Sequence, residues 1–207
     1  MKIRTLFIDI GKVLVDFNYE TALAALARLN DLSWEEMQTR LRGHADILRY
    51  ETGHLTTEEF FRGVSDLLEI DIPLENFKKI WGSIFVFDGK SSEGLLSPKL
   101  FRQLKQSHQL IALSNTNEIH FNYLIQAYPL IREFDDYVLS YQVGSLKPDP
   151  QIFSAALDKV GCSPSEVLFV DDRIENVQAA EKMGIKGILF VGEKELRGEL
   201  ESLGVLG

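Results

Sequence analysis

The stretch TLFIDIGKVLVDF, residues 5–17, decides how the rest of the chain is read. Leu6, Phe7 and Ile8 form an apolar run that ends at Asp9, Gly11 follows two residues later, and a second apolar run covers Val13 to Val15. An apolar run closed by a turn signal reads as a buried strand, although periodicity alone does not separate it from a buried helix. If it is a strand, Asp9 stands where the strand leaves the sheet, which is the edge where open α/β sheets bind their ligands. A carboxylate there is costly to leave dry and unpaired, so it calls for a metal, a cation or a nest of donors. The plainer reading of Asp9 alone is a turn or helix-cap residue, and the rest of the chain has to decide between the two.

With 207 residues and a net charge of −9, the chain fits one domain carrying an insertion or two small domains. It has no Lys/Arg run suited to tracking a phosphate backbone, so nucleic acid and anionic membrane are not expected partners. Cys162 is the only cysteine, which rules out an internal disulfide and suits a reducing, cytoplasmic setting. It reads as a structural thiol. The first apolar stretch is broken by Asp9 and Lys12, so it reads neither as a signal peptide nor as a membrane span. A monomer, or at most a weak dimer, with a small molecule as its partner is the expected state.

From Asn18 to about Phe87 the signals are helical, with no convincing strand. Ala22, Leu23, Leu26 and Leu29 recur at helical spacing between Tyr19 and Asn30. Ser33-Trp-Glu-Glu36 and Thr56-Thr-Glu-Glu59 are capping boxes that open two further helices, and a fourth runs from Leu74 to about Gly82. Beyond Ser97 the rhythm becomes helix and strand in alternation. Strands are expected at Leu110 to Leu113, around Tyr137 to Ser140, at Val167 to Val170 and at Ile188 to Val191. Helices are expected from Pro98, after Asn117, from Pro150, from Ile174 to Met183 with Ile174, Val177 and Ala180 inward, and from Glu193. Nearly continuous apolar strands alternating with helices imply a doubly wound parallel α/β sheet covered on both faces. The expected organisation is an α/β catalytic core of residues 1–17 and 88–207, with a helical cap of residues 18–87 inserted after the first strand.

In a parallel sheet all strand C-termini share one edge. Asp9, Ser114-Asn115, Lys147-Pro148 and Asp171-Asp172 therefore can converge although they are far apart in sequence. Each has a bland alternative, as a helix cap or a solvated lysine, but four unrelated features at one edge is the weaker explanation. Asp9 with Asp171 and Asp172 crowds negative charge, which is unfavourable unless a cation lies between them. Oxygen-only ligands suit Mg²⁺, which also binds substrate phosphate. A lysine and a serine hydroxyl can hold the remaining phosphoryl oxygens, and a carboxylate can then attack phosphorus. The chemistry read from these residue types is metal-assisted phosphoryl transfer through an aspartyl intermediate.

Asp9 followed by Gly11, then Ser114-Asn115, Lys147-Pro148 and Asp171-Asp172 with Asn176, in that order, resembles the haloacid dehalogenase superfamily over the whole chain. The resemblance implies an aspartyl-nucleophile hydrolase. Asp9 would be nucleophile and metal ligand, the Gly11 carbonyl a second ligand, and Asp172, with or without Asp171, would complete the set. Asn176 would orient that loop, while Ser114, Asn115 and Lys147 would hold phosphate, with Lys147 also catalytic. The run LSNTN at residues 113–117, a glycine at position 11 and the helical cap are similar to the subgroup typified by a bacterial α-D-glucose-1-phosphate phosphatase.

One departure matters. Phosphatases of this superfamily usually carry a second Asp two residues after the nucleophile, as general acid and base, and here that position is Gly11. Such help is worth about 10²- to 10⁴-fold in rate. Its loss favours a good leaving group, such as a sugar 1-phosphate, or requires a proton donor elsewhere. Asp16 reads as the anchor of the turn into the cap. His44, His54, Tyr50 and Glu51 in the cap, and His108 and His120 beside the second core strand, are read as solvated or surface residues; Trp34 and Trp81 are read as packing. Two rival functions remain at this stage. A 2-haloacid dehalogenase would use the same Asp9 on carbon, but the paired Asp171-Asp172 would repel its anionic substrate. A catalytically weak binding module would explain Gly11 but not the retention of the other site residues.

Overall fold

The apolar runs assemble into a parallel sheet in a computed structural model that describes residues 2–29, 32–87 and 94–206. The strands are β1 (Thr5–Ile8), β2 (Asp16–Phe17), β3 (Phe85–Val86), β4 (Gln109–Ser114), β5 (Asp136–Leu139), β6 (Val167–Asp171) and β7 (Lys186–Leu189). Five of them form one sheet in the order β5-β4-β1-β6-β7, with every neighbouring pair parallel. All four residues of β1 are buried, as expected of a central strand covered on both faces. Successive side chains alternate faces. Leu6, Ile8, Leu110, Ala112, Leu168 and Val170 pack on one side. Phe7, Ile111, Leu113, Val167 and Phe169 pack on the other.

Helices supply both covering layers. In chain order they are α1 (Tyr19–Ala27), α2 (Trp34–Leu41), α3 (Ala45–Glu51), α4 (Thr57–Leu68), α5 (Leu74–Gly82), α6 (Pro98–Lys105), α7 (Glu118–Ala127), α8 (Ser140–Val143), α9 (Pro150–Val160), α10 (Ile174–Lys182) and α11 (Glu193–Ser202). α6, α7 and α11 cover the first face through Leu100, Phe101, Leu104, Leu124, Leu196 and Leu200. α9 and α10 cover the second through Ile152, Phe153, Ala156 and Ala180. The three-layer arrangement is the doubly wound α/β fold expected from the sequence.

α1 to α5 close on an apolar cluster of their own, which includes Leu26, Met37, Tyr50, Phe60, Val64, Leu68, Phe77 and Trp81. Ile119 of α7 joins that cluster, so the helical segment and the sheet layer share a seam. Both capping boxes are formed, at Ser33 with Glu36 and at Thr56 with Glu59. Each reciprocal cap satisfies two otherwise orphaned amides and contributes on the order of 1 kcal/mol.

Several expectations need correction. The helical segment holds an additional helix, α3, whose seven residues are too short a run to show a repeating period. A strand also lies within the stretch read as wholly helical, since Phe85–Val86 pairs antiparallel with Asp16–Phe17. Ile174 is 48% exposed at the first turn of α10, and Asn176, Val177 and Ala180 form its buried face instead. β7 ends at Leu189, and Val191 is exposed beyond it. His120 is buried, with only 5% exposure, because its flank of α7 faces the Trp81 end of α5. The expected end of the first helix at Asn30, the boundary at residue 88 and the packing of the Trp34 side chain lie outside the described residues. No helix among the described residues is long and apolar enough to cross a membrane.

Candidate active site

The sheet register brings the acidic groups together. Ile8 pairs with Ala112 on one side and with Val170 on the other. One residue further along, Asp9 and Asp171 stand abreast at the C-terminal edge, with Ser114 at the end of the next strand. The Asp9 amide still donates to the Val170 carbonyl at 2.9 Å, which holds Asp9 at the strand end. Asp9, Asp171 and Asp172 each present an oxygen within 4.8 Å of the others.

Lys147 ties the cluster together. Its side chain is 1% exposed, and its Nζ lies 2.9 Å from Asp9 Oδ1 and 2.7 Å from Asp171 Oδ2. The same ammonium donates to the Leu113 carbonyl at 2.7 Å. Asn115 sets this lysine in place. Its carboxamide donates to the Lys147 carbonyl at 2.9 Å and accepts from the Lys147 amide at 2.7 Å. The Asn115 side chain is therefore engaged with the Lys147 backbone, which is a positioning arrangement that spacing alone did not reveal.

The two neighbouring aspartates differ. Asp171 is fully buried, and it accepts from the Arg173 amide and from Asn176 Nδ2, both at 2.9 Å, as well as from Lys147. Asp172 is half-buried and lines the cavity. That cavity, about 390 Å³, is also lined by Asp9, Gly11, Ser114, Asn115, Lys147 and Asn176. Every site residue expected from the sequence is thus on its wall or, for Asp171, directly behind Lys147. Ser114 is buried at the end of β4, on the wall of the same cavity.

The electrostatics are those of a site short of positive charge. Burial pushes the Asp9 carboxyl up to about 6; Lys147 opposes this and the Asp171 charge adds to it. Asp172 is raised by burial and then by Asp171. Lys147 is held above its usual range: burial works against its charge, but Asp9 and Asp171 outweigh it. Three carboxylates against one ammonium leave room for a divalent cation. Asn176 Oδ1 supplies an independent sign, since it is a buried acceptor without a partner that borders the cavity. An oxygen-only donor set beside an orphaned acceptor fits a hard cation that retains bound water.

Gly11 is explained by its neighbour. A Cβ there would lie 2.8 Å from Phe17 Cε1, too close for an unmoved ring. Phe17 lies in β2, which pairs antiparallel with β3, and its ring covers the position where a side chain on residue 11 would otherwise stand. Asp16 accepts from Lys12 Nζ and from its own neighbour's amide at Phe17, 2.8 Å away. It anchors the turn, as expected.

The far wall of the cavity comes from the helical segment, through Tyr19 and Glu51. Glu51, read from the sequence as a solvated helix residue, is half-buried there. Tyr50 is a core residue instead, stacked on Phe60 at 4.2 Å with its hydroxyl accepting from the Ile119 amide. Trp81 is packed in the same core.

A doubly wound sheet that gathers a carboxylate cluster and a buried lysine at its C-terminal edge has its ligand site where such folds place it. The chain belongs to the haloacid dehalogenase-like hydrolase family, which it matches over residues 3–184. A D-ribitol-5-phosphate phosphatase of Bacteroides thetaiotaomicron is 27% identical over 191 residues, covering 89% of this chain and 90% of that protein. A haloacid dehalogenase family enzyme from the same organism, solved with magnesium and inorganic phosphate, superposes with a TM-score of 0.79 at 25% identity, covering 90% of this chain and 93% of that one. The L-2-haloacid dehalogenase PA0810 shares the fold, with a TM-score of 0.62 at 19% identity over 90% of this chain and 83% of that one.

Proposed function

We propose that this hydrolase is a Mg²⁺-dependent phosphomonoesterase that works through an aspartyl-phosphate on a small metabolite, a sugar phosphate, with glucose 1-phosphate as the specific candidate. The observation that carries the reading is the cluster of three carboxylates within 4.8 Å around one buried lysine. An uncompensated cluster of that kind is unfavourable without a cation and a ligand to share it. The phosphatase and magnesium character of the relatives supports the same reading.

In this proposal Asp9, the Gly11 carbonyl and Asp172 hold the metal. Asp171, committed to Lys147, Arg173 and Asn176, supports the cluster from behind. Mg²⁺ supplies neutralisation of phosphate charge, which lets an anionic nucleophile approach an anionic ester. Lys147 and the Ser114 hydroxyl hold phosphoryl oxygens, and Asp9 attacks phosphorus. Residues 1–17 and 88–207 serve as the catalytic core, and residues 18–87 act as a cap that closes over the ester. The doubled carboxylates argue against a haloacid substrate, whose own charge they would repel.

The test is phosphate release from a panel of sugar 1-phosphates and 6-phosphates, with Mg²⁺ and with excess chelator. The expected result is metal-dependent release from sugar phosphates. A preference for 1-phosphates would mark a site that depends on the leaving group, whereas comparable rates on 6-phosphates would place a proton donor elsewhere in the cavity. Release unaffected by chelator, or none from any ester, contradicts the proposal.

A further inference from the structure

A primary alcohol leaves phosphorus poorly without a proton, and Gly11 has no side chain to provide one. The other charged side chains on the cavity wall are already engaged. Lys12 is bound to Asp16 and to the Phe17 carbonyl, Arg173 is paired with Glu175, and Lys147 is held between Asp9 and Asp171. Asp172 belongs to the carboxylate cluster. Glu51 differs from all of these. It is the last residue of α3, half-buried on the opposite wall, and its carboxylate has no hydrogen bond or ion pair among the described residues. A partly desolvated carboxyl that stabilises nothing in the fold is a cost, and such costs concentrate at functional sites.

Its placement is built into the backbone. Gly53, two residues on, has φ of +67°, and a Cβ there would run into the carbonyl oxygen of Tyr141. Only a glycine allows the turn after α3 to press this closely onto α8, the segment that leads into the Lys147 loop. Glu51 is thereby held against the sheet edge by a backbone-to-backbone contact.

We propose that Glu51 is the general acid and base of this site, serving from the helical wall in place of the side chain that Gly11 lacks. The assignment rests on the phosphomonoesterase reading above. As the bond from Asp9 to phosphorus forms and the ester P–O bond breaks, Glu51 passes its proton to the leaving oxygen, which departs as a neutral alcohol. The Glu51 carboxylate then takes a proton from the water whose oxygen attacks phosphorus. The Asp9–phosphate bond breaks, inorganic phosphate leaves, and Glu51 is protonated again. Burial holds the Glu51 carboxyl above its ordinary range, which suits a group that must carry a proton near neutrality. The charged and titratable groups that face the same cavity are Tyr19 on α1, Lys12, Asp9, Lys147, Asp172 and Arg173.

The experiment compares wild type with Glu51→Gln and Glu51→Asp on glucose 6-phosphate, glucose 1-phosphate and p-nitrophenyl phosphate, whose leaving group needs no proton. Glu51→Gln is expected to lower kcat on the 6-phosphate by about 10²- to 10⁴-fold with KM little changed. Single-turnover phosphorylation by p-nitrophenyl phosphate should fall far less, and phosphoenzyme should accumulate because its hydrolysis has lost the base. Glu51→Asp should recover part of the rate. An equal loss of phosphorylation rate on all three esters, a change confined to KM, or an unaltered kcat overturns the assignment. If wild type turns over and Glu51→Gln matches it, only the role of Glu51 fails; if wild type releases no phosphate from any ester, the phosphatase reading fails and the role of Glu51 goes with it.

Discussion

Lys147 is the residue on which the site's stability and chemistry meet. It offers one buried positive charge to Asp9 and Asp171, and its backbone is clasped by Asn115. Removing one partner of a buried ion cluster leaves the others desolvated and unpaired, which costs roughly 3–5 kcal/mol. Lys147→Ala should therefore lose about that much in urea unfolding without metal, and saturating Mg²⁺ should restore part of it by binding only the folded state. Unchanged stability without metal would show that Lys147 does not compensate the aspartates. The chemical types at this site were legible in the sequence because Asp9, Ser114 and Asp171 each close an apolar run and Lys147 lies in the loop after another, and parallel strands place such residues on one edge. The engagement of Asn115 was not legible, because an amide that binds backbone and one that binds ligand look alike in a sequence.

At the scale of elements, the central strands and both capping boxes could be read directly, since each carries a strong local signal: continuous apolar residues, or Ser/Thr with Glu three residues on. The elements that escaped were short. β2 and β3 are two residues each, and their pairing joins positions 16 and 86, a non-local contact without a periodic signature. α3 spans seven residues between two longer helices. Yet these small pieces shape the site: β2 places the Phe17 ring where a side chain at position 11 would go, and α3 delivers Glu51. Ile174 misled for a related reason. It fits the apolar spacing of α10, but the first turn of that helix faces the open edge of the sheet, and Asn176 turns inward to bind Asp171.

Across the whole molecule, the seam between the helical segment and the sheet layers carries a titratable group. His120 accepts from Asn117 Nδ2 at 2.9 Å through Nδ1 and donates to the Trp81 carbonyl at 3.1 Å through Nε2, an arrangement that suits the neutral ring. Burial pushes its pKa down to about 4, from about 6.5 in an unfolded chain. The lowered value means that the stabilisation is complete above pH ~6.5 and is lost as pH falls toward about 4. A shift of this size corresponds to a loss on the order of 3 kcal/mol between those limits. Denaturant unfolding of wild type and His120→Gln at pH 7 and pH 4 should show the pH-linked loss shrinking by about that amount in the variant. An identical acid limb in both would mean that the carboxylates alone govern acid stability.

The central claim is that Asp9 becomes covalently phosphorylated. Acid quenching of a single turnover on the preferred sugar phosphate, followed by peptide mass spectrometry, tests it most directly. The expected result is a phosphoryl group on the peptide that contains Asp9, formed only with Mg²⁺ and absent from Asp9→Asn, which should retain the fold and lose turnover by about 10⁴-fold or more. Rapid phosphate release with no phosphoryl group on Asp9 at any time point, or an Asp9→Asn variant that turns over at the wild-type rate, would contradict the account.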